Sequence, residues 1–246
     1  MSFKRRGLDM IRKFIDKIRS KITNNRVILR LCYSKMDRSQ AFNYIYSHKK
    51  WGEDKIKCKK YYSGKGSYEE QYVLPYIAVI REMIKDRGIK SIVDLGCGDF
   101  NVGKAIMEDT VNIKYVGVDI VQGMIDELSE EYGAENIDFK CLDIVDDDLP
   151  DADLCLIRQV LQHLDNDEIQ RILSKLDKYK YVVITEHVTE KSMAKKYNCD
   201  KIHGQDARIE YGSGVYLEEK PYCLHVKTLL RIPYGDGKTE LITVQI

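Results

Sequence analysis

The sequence predicts an α/β fold: a doubly wound, mainly parallel seven-stranded sheet with an antiparallel C-terminal edge hairpin and a helical N-terminal extension. Three observations carry this reading. From residue 90 onward, short apolar runs alternate with stretches of helical periodicity, the pattern of a parallel sheet with helices on both faces. The first run ends in a glycine-rich turn, Gly96-Cys97-Gly98, and leads into a helix. The tail from His225 onward reads as two strands around Gly235-Asp236-Gly237. Right-handed crossovers then make the doubly wound order the economical topology.

Taken in order, residues 8–22 place Leu8, Ile11, Phe14, Ile15, Ile18 and Ile22 at helical spacing, with Arg and Lys filling much of the other side. A second helix is expected from Arg38 to Tyr46, followed by a basic Gly/Ser loop that ends at Ser67. A longer helix spans Tyr68 to Asp86 and stops at Gly88. The strands are then Ser91–Leu95, Tyr115–Ile120, Ile137–Leu142, Ala152–Ile157 and Tyr181–Thr185. Helices reach Met107, run from Met124 to Glu131 and from Asp165 to Leu176. Residues 188–221 are an irregular, polar insert. The domain division expected is 1–67 and 68–246.

Charge divides along the same line. Residues 1–67 carry 19 Lys and Arg against 5 Asp and Glu, whereas the remainder carries 21 against 34. A basic segment of this kind faces nucleic acid, an anionic membrane surface, an anionic substrate or the acidic part of its own chain. No run of eighteen apolar residues is present, so no membrane-spanning helix is expected. The basic start MSFKRRG is not followed by an uncharged apolar stretch, so no secretory signal is read. Seven cysteines with no CxxC pair argue against a disulfide scaffold or zinc ribbon, and the expected location is the cytoplasm.

The chemistry is carried by Val93-Asp94-Leu95-Gly96-Cys97-Gly98-Asp99. In an open parallel sheet, ligands bind beyond the carboxyl ends of the strands. Glycines at 96 and 98 permit a sharp turn and close approach. Asp119 ends the next strand, where a carboxylate accepts both hydroxyls of a ribose. Asp143 ends the third strand beside Leu142 and Ile144, a place suited to an adenine amine. A nicotinamide-binding turn requires a third glycine three residues after Gly98, but Asn101 stands there. Asp94 and Asp99 flank the turn and repel a pyrophosphate, whereas they suit a sulfonium and an ammonium group.

With VDLGCG, VGVD, CLDI and LIRQVLQHL in this order, the sequence resembles the class I S-adenosylmethionine-dependent methyltransferases and their Rossmann-like fold. The likeness is good over residues 68–190. Trp51, the loop Ser63-Gly64-Lys65-Gly66-Ser67, Gly98-Asp99-Phe100-Asn101 and Arg158-Gln159 further resemble a bacterial subgroup found among surface-polysaccharide genes. The resemblance implies S-adenosyl-L-methionine as cofactor. It places Asp94, Gly96, Cys97, Gly98 and Asp99 at the methionine end, and Asp119 and Ile120 at the ribose. Asp143 and Ile144 would frame the adenine, Arg158 and Gln159 would line the end of strand four, and Trp51, Ser63 and Ser67 would cover the cofactor.

Methyl transfer requires a positioned acceptor and, for a neutral hydroxyl, removal of a proton. Candidates at the carboxyl edge are His163, Glu186 and His187; alternation along the strand sends one of the last two toward the pocket. The insert adds His203 and Arg208, the latter able to grip a carboxylate or phosphate. Asp200, His203 and Asp206 lack the spacing of a zinc site, and no metal is expected. The segment after strand four is not the N/D-P-P-Y of amino-methylating nucleic-acid enzymes. Together with the polar insert and its Tyr, Lys and Arg, the subgroup resemblance then implies a small polar molecule or glycan unit methylated on oxygen, with the insert on the acceptor side. An RNA methyltransferase using residues 1–67, or a non-catalytic cofactor-binding protein, are the alternatives. The amphipathic helix of residues 8–22 is expected to pack on its own domain or form a homodimer rather than lie on a membrane.

Overall fold

The computed structural model describes residues 26–53, 59–108, 110 and 112–246. The helix expected over 8–22, and with it the homodimer and membrane alternatives, lies outside the described residues. The chain divides into two compact units, residues 1–37 and 38–246. In the first, Arg26–Tyr33 forms helix α1, which the sequence reading did not anticipate. The second takes in residues 38–67 together with the domain expected to start at 68.

This unit begins with α2, Arg38–Ser47, then α3, Glu70–Arg87, which ends on Gly88 in the left-handed conformation (φ 61°). The alternating region follows as β1 Ser91–Leu95, α4 Asn101–Met107, β2 Lys114–Asp119, α5 Gln122–Tyr132 and β3 Ile137–Cys141. It continues with β4 Leu154–Arg158, α6 Asn166–Leu173 and β5 Tyr181–Thr189. Asp165 caps α6 in a reciprocal box with Glu168, as Asp followed three residues later by Glu requires. The hairpin strands are β6 Lys227–Tyr234 and β7 Thr239–Gln245. Strand β5 runs four residues beyond the expected Thr185 because β7 pairs with it through Thr189.

The strands form one seven-stranded sheet in the order β3-β2-β1-β4-β5-β7-β6. The first five are parallel neighbours, and β7 joins antiparallel to both β5 and β6. Strand periodicity assigns the cores. Ile92, Leu154 and Leu156 pack on one face with α3, α4 and α5, while Val93, Leu95, Cys155 and Ile157 pack on the other with α6. The order reverses between β1 and β4, which opens a crevice at their carboxyl ends. No described helix is long and apolar enough to cross a membrane. The six described cysteines are free thiols.

Candidate active site

A cleft of about 370 Å³ opens at that crevice. It falls within the 300–1,000 Å³ usual for small-ligand sites. All fourteen residues expected at the cofactor line it: Trp51, Ser63, Ser67, Asp94, Gly96, Cys97 and Gly98 together with Asp99, Asp119, Ile120, Asp143, Ile144, Arg158 and Gln159.

Strands β1 and β2 deliver the two buried acids. Asp94 accepts the Tyr115 hydroxyl (2.7 Å), and burial pushes its carboxyl up to about 6. Asp119 Oδ2 accepts the Gly98 N–H and Oδ1 the Val121 N–H, both at 3.1 Å. Burial raises this carboxyl to about 6 as well, against the pull of those N–H groups. Each Asp119 oxygen keeps a free lone pair after its backbone bond, so two vicinal hydroxyls can be accepted at once.

The glycine turn serves close packing within the protein. Gly96 (φ 83°) would place a Cβ 2.3 Å from Val160 Cγ2, and Gly98 (φ 56°) would place one 2.3 Å from Ser63 Oγ. The loop 63–67 thus sits directly on the turn. Asp99 holds it there: its N–H donates to Ser63 Oγ (3.0 Å), and its carboxylate accepts the Ser63 N–H and the Tyr68 hydroxyl. Asn101 Nδ2 donates to Ser67 O (2.7 Å), and Arg158 Nη2 to Gly66 O (2.7 Å). Asp99 therefore acts on the covering loop, a role that its place in the sequence did not distinguish from a ligand contact.

Arg158 ends β4 with its guanidinium over the Tyr76 ring (5.0 Å), and its buried Nε has no hydrogen-bond partner. In a residue that lines the cleft, this leaves hydrogen-bonding capacity that the protein itself does not fill. Gln159 follows at φ 57°, a left-handed conformation that costs a non-glycine residue about 1–3 kcal/mol. Its N–H is secured by Thr185 O (2.7 Å).

The five catalytic candidates separate. His163 lines the cleft, its ring 4.9 Å from Trp51. Gln162 Oε1 accepts the His187 N–H (3.2 Å), so Gln162 Nε2 faces His163 Nε2 (3.2 Å) and donates to it. The ring proton therefore sits on Nδ1, which lies near the Gly204 and Asp206 backbone without hydrogen-bond geometry. Burial, with Lys201 nearby, pulls the imidazole down to about 3.

The other four do not line the cleft. Neither Glu186 nor His187 faces it, contrary to the alternation argument. Glu186 is buried against the turn after β4 and accepts the N–H groups of Val160, Leu161 and Gln162 at 3.2, 2.9 and 3.0 Å. His187 points to the hairpin, with Nε2 at Thr239 Oγ1 (2.8 Å) and its ring 4.2 Å from Tyr234. His203 meets Glu168 Oε1 (2.9 Å). Arg208, fully buried, donates to Cys199 O, Leu161 O and Asn166 Oδ1. The insert reaches the cleft through Gln205, Ala207 and Glu210 instead, and the hairpin adds Tyr234.

The residues fit S-adenosylmethionine: a two-hydroxyl acceptor at Asp119, buried acids for a sulfonium and ammonium, and an orphan guanidinium donor for a carboxylate. Residues 92–179 match the family model described as a methyltransferase domain. Among solved structures, the chain is similar to the N-methyltransferase NodS from Bradyrhizobium japonicum WM9 (9% identity, 73% of this chain, 97% of that one, TM-score 0.51). It is similar also to the methyltransferase domain of a bacterial protein named CtHen1-C (16% identity, 70% and 96%, TM-score 0.50). At these identities the likeness shows the fold. No curated protein matches the chain. Over residues 92–179 the chain thus carries a methyltransferase domain match, and the fold and cleft chemistry fit S-adenosylmethionine as its cofactor.

Proposed function

We propose that the protein methylates an oxygen of a small polar acceptor, a sugar, a glycan unit or a phosphate-type decoration. The observation that supports this is a cleft lining that extends beyond the residues expected at the cofactor, to Phe42, Lys65, Gln205, Glu210 and Tyr234. A lining of aromatic, amide and charged groups suits a small polar acceptor. The likeness of Trp51 and the Ser63–Ser67 loop to the surface-polysaccharide subgroup supports the same reading.

The bound cofactor supplies an electrophilic methyl group on a sulfonium. The chain's own residues hold and orient. Asp119 holds the ribose, Arg158 the carboxylate, and the loop 63–67 excludes water. His163 Nε2 is already engaged by Gln162, so its lone pair is not free to take a proton. An acceptor oxygen that is already anionic needs no base. This favours a phosphate- or carboxylate-type oxygen over a neutral hydroxyl.

Incubation of the full chain with methyl-labelled cofactor and separate pools of sugar phosphates, nucleotide sugars, neutral sugars, RNA and protein tests this. Label in an anionic sugar pool is the expected result. Label confined to RNA or protein overturns the acceptor assignment.

A further inference from the structure

Asp143 stands where the resemblance places an acceptor for the adenine amine, yet both its oxygens are already engaged within the protein. Arg38 Nε donates to Oδ1 (3.1 Å) and Oδ2 (2.8 Å), and Arg38 Nη2 lies 2.8 Å from Oδ2. The Val145 N–H donates to Oδ1 (3.0 Å). The single Nε–H is shared between the two oxygens, so three N–H groups point at a carboxylate with about four lone-pair sites, leaving little capacity for an amine. Arg38 meanwhile reaches two more acids, with Nη1 on Glu168 Oε1 (3.0 Å) and Nη2 on Asp146. Those acids are themselves fixed: Glu168 by His203 and the α6 cap, Asp146 by Arg171.

A carboxylate therefore lies along each edge of the guanidinium, whose side chain is 15% exposed and lines the cleft together with Leu142, Asp143 and Ile144. With its edges engaged, the group has its flat face left to offer a ligand. A planar guanidinium stacks on aromatic rings and nucleic-acid bases.

We propose that Arg38 is the residue that touches the purine, stacking its guanidinium on the adenine ring, and that Asp143 is a positioning residue acting through Arg38. The inference rests on the cofactor reading and deepens it. It makes the base contact one of shape and stacking, so Asp143 does not read the exocyclic amine.

The test measures binding of three ligands to the full chain: S-adenosylhomocysteine, its 6-oxo hypoxanthine analogue, and S-ribosylhomocysteine, which has no base. Arg38→Met and Arg38→Lys are expected to raise Kd at least tenfold for the two base-bearing ligands and to leave the base-free ligand within twofold. A merely structural role would weaken all three alike, and that result overturns the proposal. Asp143→Asn is expected to weaken the two base-bearing ligands by the same factor, keeping their ratio within twofold of wild type. Collapse of that ratio would show that Asp143 reads the amine directly, and the proposal would fail. Absence of S-adenosylhomocysteine binding to the unaltered chain would instead refute the cofactor reading itself.

Discussion

Replacing Asp119 by Asn changes one buried oxygen to an amide nitrogen and leaves the side-chain shape nearly intact. In the structure each carboxylate oxygen already accepts one backbone N–H, from Gly98 and Val121. The Asn amide must turn its NH2 toward one of them, donor against donor. The remaining carbonyl accepts one ribose hydroxyl through a neutral bond. Hydrogen bonds to a charged group contribute about 1.5–3 kcal/mol each, against about 1 kcal/mol for neutral ones. The net loss is then about 3 kcal/mol, or on the order of 100-fold in Kd. Calorimetric titration of wild type and Asp119→Asn with S-adenosylhomocysteine measures it, with a thermal melt to confirm folding. A folded variant that binds within threefold of wild type would refute the assignment of Asp119 to the ribose.

Four further outcomes follow from the same geometry. Asp94 and Asp119 both sit at about 6 in the unliganded protein, and the ligand needs them ionised, so affinity is flat above pH 7 and falls as pH drops through 6. The unliganded fold responds with the opposite sign, because carboxyls raised above their unfolded value stabilise the protein as pH falls from above 6 toward 4; parallel titrations and melts across pH 5–8 check both. Glu186→Ala strands three buried N–H groups after β4 and should cost about 3–4 kcal/mol, read as a melting point lower by about 10 °C; a melt within 2 °C of wild type would contradict its capping role. Gly98→Ala places a Cβ 2.3 Å from Ser63 Oγ at φ 56°, so the covering loop must lift; ligand affinity should fall at least tenfold, and unchanged affinity would show that the loop does not close the site.

The doubly wound sheet and the residues that line the cleft at its strand ends were legible because their signals are local. Strand periodicity, the glycine turn and an acid at each strand end are short-range patterns, and a parallel sheet gathers its strand ends on one edge. The acceptor side was not legible in this way. Glu186 and Arg208 are residue types that chemistry uses, yet this fold uses them to satisfy buried backbone groups, a demand that appears only after the turn at 160–162 and the insert have folded. Sequence position also gave no hint of Arg38, whose partner Asp143 lies 105 residues away. Gln205 sits two residues from His203, and a search for titratable groups passes over an amide.

A crystal structure of the full chain with S-adenosylhomocysteine tests the central claim most directly. The account predicts the ligand in the cleft between β1 and β4, with both ribose hydroxyls on Asp119, its carboxylate at Arg158 and the loop 63–67 closed over it. Ligand density at any other place, or in the cleft with the ribose away from Asp119, would contradict the account.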